Sequence, residues 1–386
     1  MTDVLERGAA VRVAPVSWAG VRTVAEQEFR LRLRAGRWKW LQTGWFVLVA
    51  GFTLLTTLAA GNIDGLTEDG VVVFGALTLF VLGLALLVVP SLSAQSVNGD
   101  RERGTLASLQ VTLLTPWEIT LGKFLAAWGT ALTFVALTLP MVLFTVPQGG
   151  VQLTRVLVVY LLIALLLGAV CAVALWLSSA LARTTTSGVL SYLAIGALVF
   201  GTLIAFGLGS LASQEHYTQS YPSVDCDDSN DLTDAYNAQA SNQPLPDGCV
   251  ATTQSYEDSR TRTDRIWWLL APNPFVIVAD AAPRLGPIPN GLQGRDLDNA
   301  QQARDADVLG QLGQNVRDLR LGPGEVSEDG GGFSYSPTEQ QRIVHPGPVW
   351  PWGLGFDVLL AGGALWLTAR RLRTPTRKLP KGQRVA

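Results

Sequence analysis

Ionisable side chains are scarce in the apolar parts of this chain, and the densest knot of them is Asp100-Arg101-Glu102-Arg103, directly after an apolar run. Gly104, Thr105, Leu106, Leu109 and Leu113 follow with the leucines near helical spacing, Pro116 breaks the chain, and Glu118 to Gly122 and Lys123 lead into the next apolar run. Alternating acid and base suits ion pairing with another surface rather than bond-making. A short charged helix held just below a bilayer would transmit force from a partner, although an ordinary solvated loop accounts for the same residue types. No G-x-x-x-x-G-K-[ST] phosphate loop occurs. Gly122-Lys123 comes nearest, without the upstream glycine or the following Ser/Thr. His216 and His345 are the only histidines, far apart, and neither a nucleophile elbow nor H-E-x-x-H is present. The sequence therefore offers no catalytic, cofactor-binding or metal-ligating set, and we read no enzyme in it.

The elements around that knot are set by composition. Of 386 residues, 48% are apolar and 16% charged, against roughly 25% charged in soluble domains. Apolar runs near the ~20 residues needed to cross a bilayer recur at 43–60, 71–92, 124–146, 156–179, 188–211 and 350–369. The expected fold is an all-α polytopic membrane protein with six transmembrane helices. Its parts are a lead (1–42), spans one to five (43–211) with a loop at 93–123, a large segment (212–349), span six (350–369) and a basic tail (370–386). The first run lies too far in, behind a long polar lead, to read as a removable signal. Asp357 is the one ionisable residue inside these runs, and that scarcity speaks against an ion-driven mechanism.

Charge asymmetry predicts orientation. Eight basic residues lie in 1–40 and seven after span six, where no acid occurs, whereas 212–349 holds twenty acids, nine arginines and no lysine. Both termini are expected in the cytoplasm and 212–349 outside. Basic residues so placed read as membrane anchors, and no nucleic acid is expected as a partner. Residues 16–39 place Val21, Val24, Ala25, Phe29 and Leu33 near helical spacing, as an amphipathic helix on the inner leaflet would; a plain cytoplasmic helical extension fits as well. Within 212–349, residues 221–258 lack clear periodicity. Residues 266–280 are apolar but broken by Pro272 and Pro274, which suggests a re-entrant or interfacial hairpin. Val308, Leu309, Leu312, Val316 and Leu319 share a helical stripe. Cys226 and Cys249 fall in the outer segment, where a disulfide is permitted, the alternative being two free thiols.

The stretch NGDRERGTLASLQVTLLTPWEITLGK (98–123) resembles the signature region of type-2 ABC exporter permeases, membrane-spanning subunits that work with separate ATPases. In that family a similar Glu-Arg-Gly-Thr-Leu run follows span two, then a Thr-Pro turn and a Leu-Gly-Lys lead into span three. Here these are Glu102 to Leu106, Thr115-Pro116 and Leu121-Gly122-Lys123. The resemblance implies that this run is a coupling helix seated in a groove of a cytosolic ABC ATPase. Glu102 and Arg103 would make charged contacts there, and Gly104-Thr105 would allow close helix packing. It also implies an N-terminal interfacial helix, a re-entrant element after span five, and a homodimer or heterodimer of permeases in the plasma membrane. ATP and magnesium would be held by the partner, with no cofactor in this chain. The acidic outer segment is longer than simple members carry. Two other classes remain: a membrane scaffold or sensor whose outer segment binds a ligand, and a secondary carrier.

Overall fold

The computed structural model describes residues 16–34, 36–61, 69–104, 114–227, 232–240, 243–282, 291, 293–323 and 347–372. Six helices among them are long and apolar enough to cross a membrane: Trp38–Ala60, Gly70–Glu102, Pro116–Gln148, Leu153–Ala180, Thr184–Ala212 and Trp350–Arg371. The chain is thus a mostly helical, multi-pass membrane protein. It divides into two compact units, one of residues 1–202, 271–314 and 349–386, the other of residues 203–270 and 315–348.

In the first unit, α1 (Trp18–Arg34) precedes α2 (Gly36–Ala60, span one), α3 (Asp69–Ser93, span two) and the short α4 (Asn98–Glu102). Then come α5 (Pro116–Thr145, span three) and α6 (Leu153–Ala180, span four). Span five is α7 (Thr184–Gly196), a π-turn (Ala197–Gly201) and α8 (Thr202–Ala212), whose last residues belong to the second unit. The spans are apolar on every side, as buried or lipid-facing helices are, but not equally enclosed. Spans two and four are 56% and 67% buried, spans one and five only 22% and 11%. Phe74, Leu77 and Leu82 of span two, Phe134 of span three and Ile163, Leu166 and Leu167 of span four form the core. Leu54, Leu55, Leu203 and Leu208 point outward, where only an apolar medium leaves them unpenalised.

Span three starts eight residues before the apolar run does. Thr115 caps it by accepting from Glu118 N–H at 3.3 Å, and Glu118 accepts in return from Thr115 N–H at 2.6 Å. Pro116 occupies the first helical position, where its missing N–H costs nothing, so it begins a helix rather than ending one.

The apolar stretch 266–280, expected as a re-entrant or interfacial hairpin, is built of short turns and one helix. After 3₁₀ turns at Thr263–Arg265 and Trp267–Leu269, Pro274 again takes a first helical position, and α10 (Pro274–Ala281) follows. Ile277, Val278 and Ala279 of α10 are buried in the core of the spans. Span six, α13 (Trp350–Arg371), lies close by: a Cβ at Gly353 would overlap the Ala271 carbonyl. Asp280 fixes the start of span six, its Oδ2 accepting from Val349 N–H at 2.6 Å and Trp350 N–H at 2.8 Å. The 212–349 segment is therefore not one block, since 271–314 clusters with the spans.

Between α10 and span six lie α11 (Arg295–Ala306) and α12 (Val308–Leu321). The stripe expected on α12 is rotated. Leu309, Gly313 and Val316 are buried, while Val308 and Leu312 are exposed. The reason is steric: Gly313 lets the backbone approach Ala279, whose carbonyl oxygen would lie 2.5 Å from a Cβ there. Asp307 caps α12, accepting from Gly310 N–H at 3.0 Å, and takes the guanidinium of Arg155 at 2.8 and 3.0 Å. Arg155 is 2% exposed, so the pair has left water almost entirely.

The second unit departs from an all-α fold. Gln214–Cys226 (β1) pairs antiparallel with Cys249–Thr261 (β2), from Gln214↔Thr261 to Cys226↔Cys249, and α9 (Leu232–Ala240) lies between the strands in sequence. An isolated two-stranded ribbon is marginal, and this one is fastened at both ends. A disulfide joins Cys226 to Cys249 at the far end. At the base, Arg262 donates to both Asp264 oxygens at 3.0 Å and to Glu215 Oε2 at 3.0 Å, and its N–H reaches Ser213 O. Hydrogen bonds from Arg262 hold both Glu215 and Asp264 below the usual carboxylate range.

Two predictions follow from these fastenings. Arg155→Ala strands Asp307 as a buried charge and should cost about 3–5 kcal/mol, while Arg155→Met with Asp307→Asn, which keeps the cap, should restore most of it; thermal unfolding in detergent reads both. Acids with lowered folded values stabilise above their unfolded values, and that stability is lost as pH falls through the folded ones. Amide protection at the ribbon base near Glu215 and Arg260, measured against the intrinsic exchange rate at each pH, should therefore fall as pH drops below about 4, and high salt should reproduce part of the effect.

Candidate functional site

The charged knot lies where the ends of spans two, three, four and five meet. After span two the chain turns through Ala94–Val97 into α4, and side chains of neighbouring spans satisfy that turn. Ser178 Oγ of span four accepts from Val97 N–H at 3.0 Å and Asn98 N–H at 3.2 Å. Asn98 Nδ2 donates to Arg183 O at 3.3 Å, and Ser187 Oγ of span five donates to Ala94 O at 2.9 Å. Beneath the turn, Val97, Ile119, Leu175 and Leu372 form a small apolar cluster.

At the centre is Lys123, 0% exposed, in the second turn of span three rather than in a loop. Its ammonium is paired with Glu28 of α1 and Asp100 of α4, and it donates to Ser96 O at 3.0 Å. Arg32 of α1 adds a second cation near Glu28 and Asp100; burial pulls its guanidinium below its ordinary value, with Glu28 opposing, and an arginine stays charged regardless. Two cations and two anions balance.

A close backbone approach holds α1 in place. A Cβ at Gly122 would fall 2.6 Å from Val24 Cβ and 3.0 Å from Val21 O, so only glycine lets α1 lie so near span three. Val21 and Val24 are buried there, while Arg22 and Glu26, paired at 2.6 Å, face outward. Glu118 does double duty, its Oε1 accepting from Ser17 N–H at 2.6 Å at the start of α1.

Of the residues the sequence singled out, Asp100, Gly122 and Lys123 come together. Arg101, Glu102 and Arg103 are exposed. Glu102 has a partner within the chain, accepting from Thr184 N–H at 3.2 Å at the start of span five. Arg103 lies 3.5 Å from Asp100. Among the described residues nothing lies near the Cβ position of Gly104, and its φ of +72° requires glycine there, ending α4. Thr105, Leu106 and Leu109 lie outside the described residues. Glu28, Arg32, Ser178 and Thr184 were not anticipated. The Thr-Pro-x-Glu capping signal at 115–118 was the clue that would have placed Lys123 inside a helix.

Neither a model of a known protein family nor a curated protein sequence matches the chain.

Gly122→Leu should dislodge α1 and raise tryptic cleavage at Arg22 and Arg30 in membrane vesicles. Lys123→Met should leave Glu28 and Asp100 with only Arg32 and the exposed Arg103 to offset them and cost about 3–5 kcal/mol, and adding Asp100→Asn should recover part of it.

Proposed function

We propose that the chain is the permease subunit of an ATP-driven ABC transporter of the type-2 exporter class, coupled to a separate cytosolic ATPase. The observation that carries the reading is the arrangement around Lys123. Arg101, Glu102 and Arg103 stand exposed on a short helix whose remaining polar groups are tied to α1, span three, span four and span five. A push on those three residues would be delivered to four elements at once, which is what coupling to an external motor requires. The matching Glu-Arg-Gly-Thr-Leu, Thr-Pro and Leu-Gly-Lys segments support the same reading.

On this proposal the loop end and both termini face the cytoplasm of a plasma-membrane protein, in keeping with the basic ends, and the ribbon lies outside. Two permeases, alike or different, assemble with two ATPases, which hold ATP and magnesium. Transport proceeds by alternating access, and no residue here is catalytic. A second reading, an ion-coupled carrier, draws on one observation, the buried Asp357 of span six, whose carboxyl has no hydrogen-bond partner among the described residues. Transport that survives loss of ATP and stops when ion gradients collapse would decide for it.

Pull-down of the ATPase and ATP-dependent export at matched membrane expression test the coupling claim. Glu102→Lys and Arg103→Glu should each cut partner occupancy by about tenfold or more. Glu102→Gln keeps the acceptor for Thr184 and separates charge from local structure. Normal partner binding and transport in both charge reversals would overturn the assignment.

A further inference from the structure

Asp357 is the buried charge-bearing group for which the coupling arrangement has no use. It lies seven residues into span six, about 10 Å along the helix from Trp350. The residue is 1% exposed, and neither carboxyl oxygen has a hydrogen-bond partner among the described residues. It borders a cavity of about 50 Å³ walled by Leu166 and Val170 of span four, Ile195 and Leu198 of span five, Pro274 and Leu360.

The ionisable groups of the packed elements are committed elsewhere. Asp280 binds the first N–H groups of span six, Arg155 pairs with Asp307, Tyr160 bonds to Thr138, and Lys123 pairs with Glu28 and Asp100. Glu118 binds Ser17 and Thr115, and Cys171 of span four and Tyr192 of span five do not line the cavity. Among the described residues no cation lines the cavity.

The walls restrict what this carboxyl can bind. Calcium takes six to eight oxygens and magnesium an octahedron, whereas the wall side chains supply no oxygen besides this carboxyl. The Val199 carbonyl, freed by the π-turn of span five, is taken by Asn273 Nδ2 at 2.8 Å. A proton needs one oxygen and little space, and it removes the cost of an unpaired charge in apolar surroundings.

We propose that Asp357 is a proton-binding site within the membrane: its carboxyl group carries a proton while the cavity is closed and yields it when the cavity opens to water. One proton passes from hydronium to a carboxylate oxygen on closing, leaving water and a neutral acid, and returns to water on opening. Any conformational cycle that wets this cavity, whatever drives it, would then take up and release one proton per chain.

Dicyclohexylcarbodiimide tests this in membrane vesicles holding the whole assembly. The acid proton passes to a reagent nitrogen, the carboxylate oxygen attacks the central carbon, and rearrangement leaves an N-acylurea one reagent heavier. Peptide mass spectrometry should find that adduct on Asp357 at neutral pH, lost in Asp357→Asn and not formed by a water-soluble carbodiimide. The infrared difference between wild type and Asp357→Asn reads the protonation state without any reagent. A protonated-acid carbonyl band at neutral pH is expected, and a carboxylate band alone would overturn the proposal. Thermal unfolding gives a third reading. A group protonated when folded and ionised when unfolded loses stability as pH rises. Wild type should therefore match Asp357→Asn below about pH 4 and fall progressively below it as pH rises through neutrality, while a wild type that tracks Asp357→Asn across that whole range would also overturn the proposal. None of these readouts needs the ATPase, so their failure would leave the permease reading standing.

Discussion

A buried ammonium must be surrounded by acceptors or it will not stay buried, and Lys123 draws its acceptors from three separate stretches of chain. Glu28 comes from the helix before span one, Asp100 from the short helix after span two, and Ser96 O from the turn between them. Removing a charge from water costs several kcal/mol, which only good pairing offsets. The positions of α1 and α4 are thereby fixed together on span three. Gly122, one residue earlier, lets α1 come near enough for Glu28 to reach, so the Gly-Lys pair works as one device.

The same logic recurs wherever this fold leaves regular helix. Asp280 binds the start of span six, Asp307 caps α12 while holding Arg155, Asn273 caps α10 while satisfying a carbonyl freed by the π-turn of span five, and Glu118 serves two helix starts. Water cannot satisfy a helix end buried among apolar spans, and at these ends a polar side chain, local or distant in sequence, takes its place. Several charged and amide side chains here are joints between elements, whereas Asp357 is a carboxylate with neither oxygen partnered among the described residues.

Burial also separates mechanical roles. Spans two and four, enclosed on most sides, form a fixed interior. Span five is enclosed least, is interrupted by a π-turn, and begins at the Thr184 that Glu102 holds. A helix so loosely packed and so directly tied to an exposed charged helix is the element best placed to move when that helix is pushed.

The sequence by itself determined the membrane-spanning character, the number and approximate limits of the apolar helices, and the residues at which charge gathers. These properties depend on runs of side chains that need no distant partner: twenty apolar residues in a row satisfy their own backbone as a helix wherever they lie. It also singled out Asp100, Gly122 and Lys123, though not what joins them. Only the tertiary structure decided that Lys123 is buried between Glu28 and Asp100, that the backbone at Gly104 takes a left-handed angle, and that 274–281 enters the core. The β-ribbon was equally hidden, because a two-stranded element with both faces in water has no apolar alternation to betray it. Its pairing joins residues far apart in the chain, from Gln214 with Thr261 to Cys226 with Cys249, the last pair 23 apart. Each of these outcomes turns on which distant group fills a hydrogen bond or a gap, and chain spacing does not encode that.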